Sequence, residues 1–536
     1  MQFIPNGPSI PNDLLIARDA GNVIFFCGAG VSQHAAKLPN FEKLGRNVID
    51  ILGAALDSPA RALLDKALEM GRMAGVGGLL PTDRVFGLLE REFDVTDVRV
   101  AVAEAIKPSA DACLGAHRTL LTLATSRAGV TRLVTTNFDL LFEACDPNLP
   151  CSGPPRLPDP RSDAEFRGVV HLHGRVDNAY QRPADDEFIV SSADFGRAYL
   201  SDGWATRFIQ SLLSRFQIVF VGYTAEDPPV QYLLEALNLQ AGTRNRLYAF
   251  QDGESEAAKA LWQHKGVEAI AFDSSNGFDP LWDTLAAWAE RARDIDAWYD
   301  RLLEAAAAGP MGLDAHTRAQ VAEVMSTREG ARRFATADTT LDARWLLAFD
   351  PAHRFANPEK IEPYIEESET FDPFTGLGFG SDPIPAADAG DDFLRNRKVP
   401  AEALDVLALN RADVEDTGDV AMGALRGQNA TIHAALPPRL SSLGIWLQRI
   451  AHQPIALWWA GHQAALHSDV VRRIESWLRQ DPERFPEAIR KQWRWLLAAR
   501  ADVRADPNMM RYEIEARAQQ DGWSETLVRA YVDIYK

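Results

Sequence analysis

Four short clusters in this chain carry side chains that do chemistry, and each ends an apolar run. They are "GAGVS" (residues 28–32), "TTNFDLL" (135–141), "HLHG" (171–174) and "VGYTAED" (221–227). Gly28 and Gly30 allow close backbone approach, the helix expected after them offers N–H groups to a phosphate, and Ser32 adds a hydroxyl. A tight strand-to-helix turn without a ligand is the bland alternative. The Asn137 amide both donates and accepts, which suits a ribose hydroxyl or a water. With Thr136 and Asp139 it emerges where open α/β sheets bind ligands, although Asn or Asp before "LLFEAC" also reads as a helix cap. Strand alternation places His171 and His173 on one face. Gly174 then leaves His173 at the strand's tip, where an imidazole can act as a general base; a structural histidine pair is the competing reading. Gly222, Tyr223 and Thr224 make a second small turn, with Asp227 starting the next helix.

Such residues need a scaffold. Six β-rich runs, "NVIFF", "RLVTTN", "GVVHLHG", "QIVFVGY", "RLYAF" and "VEAIAF", are mostly continuous apolar stretches, as expected of strands buried on both faces of a parallel sheet. Helical periodicity between them predicts an α/β fold, a Rossmann-like doubly wound parallel sheet. The interval 42–130 exceeds one crossover and predicts a helical insertion, while "CDPNLPCSGPPRLPDPRSD" reads as an extended surface loop. Past about residue 290 the pattern becomes helical, interrupted near "ESETFDPFTGLGFG" by a predicted long loop. Trp345, Trp446, Trp458, Trp459, Trp477, Trp493 and Trp495 fall in this half and read as core. The expected division is a catalytic domain, 1–292, and a mostly α-helical C-terminal domain, 293–536.

Composition narrows the classes. The 536 residues are 46% hydrophobic and 24% charged, with no apolar stretch near the length of a membrane span and no signal-peptide pattern, so a cytoplasmic location is expected. Four cysteines make no disulfide framework, and their spacing gives no zinc ribbon. A net charge of −19 argues against direct nucleic-acid binding while permitting a small basic pocket.

In their fixed order the four clusters resemble the sirtuin family, in particular the divergent sirtuin domains of bacterial antiphage-defence proteins, over roughly residues 10–290. That family does without the third glycine of the dehydrogenase fingerprint, whose place Gln33 takes. The resemblance implies that Gly28, Ala29, Gly30 and Ser32 meet the NAD+ diphosphate. It gives Asn137 the nicotinamide ribose and the attacking water, Asp139 a place near the carboxamide, and His173 the role of base. Gly222 and Thr224 would take the adenosine side, and Thr136, Tyr223 and Asp227 count with the cofactor-binding residues. "KLPNF" stands where deacetylating sirtuins have Pro-Asp-Phe-Arg over the nicotinamide; Pro39 and Phe41 match, Asn40 and Glu42 do not.

The chain lacks the four-cysteine zinc module and the Phe-Gly-Glu segment of the acyl-lysine groove, where "FIVSSADFGRAYL" stands instead. Water would then replace the acyl oxygen, giving an NAD+ hydrolase that releases nicotinamide and ADP-ribose without a metal. The resemblance further implies antiphage defence by abortive infection and a homo-oligomer; because an unrestrained NAD+ hydrolase would kill its own cell, residues 293–536 are expected to hold it inactive until a phage protein or defence-system partner triggers it. The alternatives are an NAD-dependent protein deacylase, a non-catalytic NAD or ADP-ribose sensor, and, as a variant, a cyclase.

Overall fold

The computed structural model describes residues 1–74, 82–184, 187–225, 247–263, 265–275, 277–346 and 438–450, with isolated positions at 234, 453 and between 511 and 531. The chain divides into two compact units, Met1–Asp294 and Ile295–Lys536. In the first, the strands are β1 (Val23–Cys27), β2 (Arg132–Thr135), β3 (Cys151–Ser152), β4 (Gly168–His171), β5 (Gln217–Val221), β6 (Leu247–Asp252) and β7 (Val267–Phe272). They form one all-parallel sheet in the order β3-β4-β2-β1-β5-β6-β7. Helices α1 (Asn12–Asp19), α2 (Ala29–Ala36), α3 (Phe41–Ile51), α4 (Pro59–Ala74), α5 (Thr82–Glu92) and α6 (Val95–Ala105) come before β2, as does α7 (Gly115–Ala124). Helices α8 (Leu141–Cys145), α9 (Ser192–Phe195) and α10 (Trp204–Leu213) follow it.

Every residue of β1 is buried, because β1 lies mid-sheet with apolar layers on both faces. Phe26 meets Phe220 at 5.6 Å on one face, and Phe25 meets Trp288 of the helix Asp279–Arg293 at 5.6 Å on the other. The chain leaves β1 toward β2 and returns on its opposite side as β5, so the carboxyl ends of β1, β2 and β5 flank the switch point of this Rossmann-like sheet.

The proline-rich stretch differs from the expected plain loop. Within it β3 pairs with β4, Cys151 opposite Val169 and Ser152 opposite Val170, making a seventh strand. Two residues are too few for a hydrophobic pattern to announce a strand.

Helices α3 to α6 build the inserted layer around Val48, Phe86, Leu89 and Val102. Phe138, Leu140, Phe188 and Val190 from the sheet side complete that core, so the loop after β2 is clamped by the insertion.

In the second unit the described helices are Ile295–Ala307, Ala315–Met325, Arg328–Thr336 and Pro438–Ile450. Trp345 and Trp446 are fully buried, and their indole N–H groups donate to the Ala306 and Leu341 carbonyls at 2.9 and 3.1 Å. Trp458, Trp459, Trp477, Trp493, Trp495 and the stretch "ESETFDPFTGLGFG" lie outside the described residues. Among the described residues no helix is long and apolar enough to cross a membrane.

Candidate active site

The two glycine turns pack on each other. The Gly28 N–H donates to the Val221 carbonyl and the Gly30 N–H to the Gly222 carbonyl, each at 2.9 Å. A Cβ on Gly30 would lie 2.7 Å from Gly222 Cα, and one on Gly222, whose φ is +75°, 2.6 Å from the Val31 nitrogen. These glycines are therefore required by the contact between β1 and β5 turns, whatever ligand sits above them.

Beside this contact lies a buried polar cluster. Ser32 Oγ donates to Asp139 Oδ2 at 2.9 Å and accepts from Asn137 Nδ2 at 3.1 Å. It lies 3.1 Å from His117 Nε2, and since its own proton goes to Asp139, His117 is the donor there. Asn137 Nδ2 also donates to the Gly28 carbonyl at 3.1 Å. Sequence spacing explains the layout. Asn137 and Asp139 turn inward to Ser32, while Phe138 and Leu140 between and after them enter the insertion's core. Asn137 is no helix cap; Asp139 serves twice, its Oδ1 accepting the Leu141 N–H at 3.2 Å as α8 begins.

His171 is a second anchor. Its Nδ1 lies 2.9 Å from the Asn137 carbonyl and its Nε2 2.9 Å from Glu143 Oε1. Carbonyl and carboxylate only accept, so both ring nitrogens carry protons and His171 is an imidazolium. Burial opposes that charge, but the Glu143 hydrogen bond and charge outweigh it and raise the pKa above its ordinary value. Glu143 shows the converse: burial would raise its pKa, yet His171 leaves it lowered. The pair pins the Asn137 backbone from beneath.

His173 sits elsewhere. The strand ends at His171, and Gly174 (φ +93°) turns the chain where a Cβ would stand 2.2 Å from the Glu187 carbonyl. His173 therefore leaves the face alternation assigned it: its Nε2 lies 2.8 Å from Tyr199 Oη, and its ring meets Phe195 edge-on at 5.2 Å. Burial pushes its pKa down to about 3, so it is neutral at pH 7. Thr136 Oγ1 and Tyr223 Oη are 2.7 Å apart, and Tyr223 donates to the Cys27 carbonyl at 3.0 Å. Phe41 opens α3, stacks on Phe86 at 5.4 Å and packs against both the sheet core and the insertion's core. Thr224 is exposed beside Tyr223, and Asp227 lies outside the described residues.

Residues 131–270 match the family model described as a SIR2-like domain. The chain is also 36% identical over 323 residues to the uncharacterized protein y4cA of Sinorhizobium fredii, a match covering 57% of this chain. It spans about a quarter (26%) of that relative's length. Hydrogen-bonding groups, the Asp139 carboxylate among them, gather at the switch point, and among the described residues His117 Nδ1 is a buried polar atom without a hydrogen-bond partner. Among the described residues no group of His, Cys, Asp and Glu is placed to hold a metal ion.

In the sequence alone His117 reads as a structural histidine, and nothing local marks Glu143 or Tyr199. "GAHRTLLTLA" reads as an amphipathic helix, and only the packing of α7 brings His117 to Ser32.

Proposed function

We propose that the SIR2-like domain hydrolyses NAD+ to nicotinamide and ADP-ribose. The observation that carries this reading is the buried Ser32–Asn137–Asp139–His117 cluster, sited at the switch point of the sheet. Cleavage of the nicotinamide bond spreads positive charge into the ribose, and the leaving group departs neutral, so orientation and exclusion of bulk water matter more than acid assistance. Asn137, fixed by Gly28, Ser32 and His171, would orient the sugar and one water. His173 would be the base, its ring held by Tyr199 at 2.8 Å. The amino end of α2 would face the diphosphate. Missing zinc and acyl-groove motifs favour water over an acyl-lysine as acceptor.

In this reading residues 293–536 restrain the hydrolase until a phage component or defence-system partner acts on them, and the assembly is a homo-oligomer. The test is chromatography of NAD+ products from the purified full chain, with and without phage lysate. Asn137→Ala and His173→Ala should each lower turnover at least about a hundredfold. Wild-type rates from both would sink the assignment. A lysine-dependent O-acetyl-ADP-ribose product would replace it with a deacylase.

A further inference from the structure

At the opposite end of the sheet lies a cavity of about 380 Å³. Its walls include Asn22 just before β1, Arg132 at the start of β2 and Arg215 just before β5, which in a parallel sheet puts it at the amino ends of these strands. Arg127 and Arg167 join Arg132 and Arg215 in the lining, against two carboxylates, Asp19 and Asp163. Asp19 is already paired with Arg291 at 2.8 Å. Four guanidinium groups thus face a single further carboxylate.

Arg132, Arg167 and Arg215 are held in place. Asp163 Oδ1 takes Arg215 at 2.6 Å and Arg132 at 2.9 Å, and the Asp163 carbonyl accepts Arg167 Nε at 2.9 Å. Arg132 Nε donates to the Phe166 carbonyl at 3.0 Å, and the Arg215 guanidinium lies 4.9 Å over the Phe216 ring. Each guanidinium has five N–H donors, so the Asp163 carboxylate and the carbonyls of Asp163, Phe166 and Arg161 leave most of them over.

We propose that this cavity binds a small polyphosphate anion, of the class of inorganic triphosphate or a nucleoside triphosphate. Phosphoryl groups present several oxygens to a fork of donors, which is what guanidinium clusters recognise bidentately. The volume suits a small ligand, at the lower end of the roughly 300–1,000 Å³ of ligand pockets. A polymer running beyond the cavity would meet the field of a chain with net charge −19, whereas a short anion stays within the arginine cluster.

The test is calorimetric titration of the full chain with sodium triphosphate, a readout independent of NAD+ hydrolysis. The expected result is saturable binding, one site per chain, weakening as salt is raised. Arg127→Gln with Arg167→Gln, both at exposed positions, should weaken it at least about tenfold, and Arg127→Gln alone roughly threefold or more, which keeps the test open if the double variant melts early. Arg332→Gln, an exposed residue of the second unit paired with Glu329, should leave it unchanged. No saturable binding at millimolar triphosphate, or unaltered binding by the folded variants, overturns the proposal. Tighter binding of a 30-nucleotide single strand at equal phosphate concentration would do so as well, making the cavity part of a nucleic-acid surface.

Discussion

The two ends of one sheet manage polar groups in opposite ways. At the carboxyl end Ser32, Asn137, Asp139, His117 and His171 are all buried and bonded to one another or to the Glu143 carboxylate, with His117 Nδ1 left without a partner. At the amino end Arg215 and Asp163 stay largely in contact with solvent, and positive charge is left in excess. The same strands supply both. Burial is costly for any polar group left alone, so at one end every residue depends on its neighbours, whereas water replaces a lost partner at the other.

Substitutions can break that contrast. The largest effect is expected from Gly222→Ala, whose Cβ would meet the Val31 nitrogen at 2.6 Å in a backbone already at φ +75°. It should abolish the proposed NAD+ turnover and lower the melting temperature more than any other single change, as read by calorimetry. Phe138→Ala leaves a hole in the insertion's core beside Phe188, its neighbour at 4.8 Å, and should cost about 3–5 kcal/mol in chemical denaturation.

The histidines sharpen the comparison through pH. His173 takes its proton near pH 6.5 when unfolded but only near 3 in the fold, so its contribution is complete above 6.5 and falls away as pH drops through that window. His171, raised above its ordinary value, contributes fully below 6.5 and loses that contribution as pH rises past its native pKa. Melting curves across pH should therefore lose their acid limb in His173→Gln and their alkaline limb in His171→Gln; limbs equal to wild type in both would refute the protonation states assigned here. Smallest of all, Arg215→Gln should barely move the melting temperature, because its ion pair with Asp163 is solvated.

Much of the sheet was legible because burial on two faces writes continuous apolar runs, as "VIFFC" and "QIVFV" do. The glycine clusters were legible too, though their reason is partly different: Gly30 and Gly222 admit each other's backbone before any ligand. His117 was not legible, since nothing local distinguishes a histidine that will face Ser32 from one merely packed on Phe142, which His117 also is, at 4.8 Å. The split of His171 from His173 was hidden because alternation holds only while a strand lasts, and β4 stops at His171.

The contact between Gly30 and Gly222 joins positions nearly two hundred residues apart in the chain. During synthesis the first turn has nothing to rest on until the fifth strand has emerged. A nascent or truncated chain that stops short of Gly222 holds Asn137 and Ser32 but lacks the turn on which Gly30 rests.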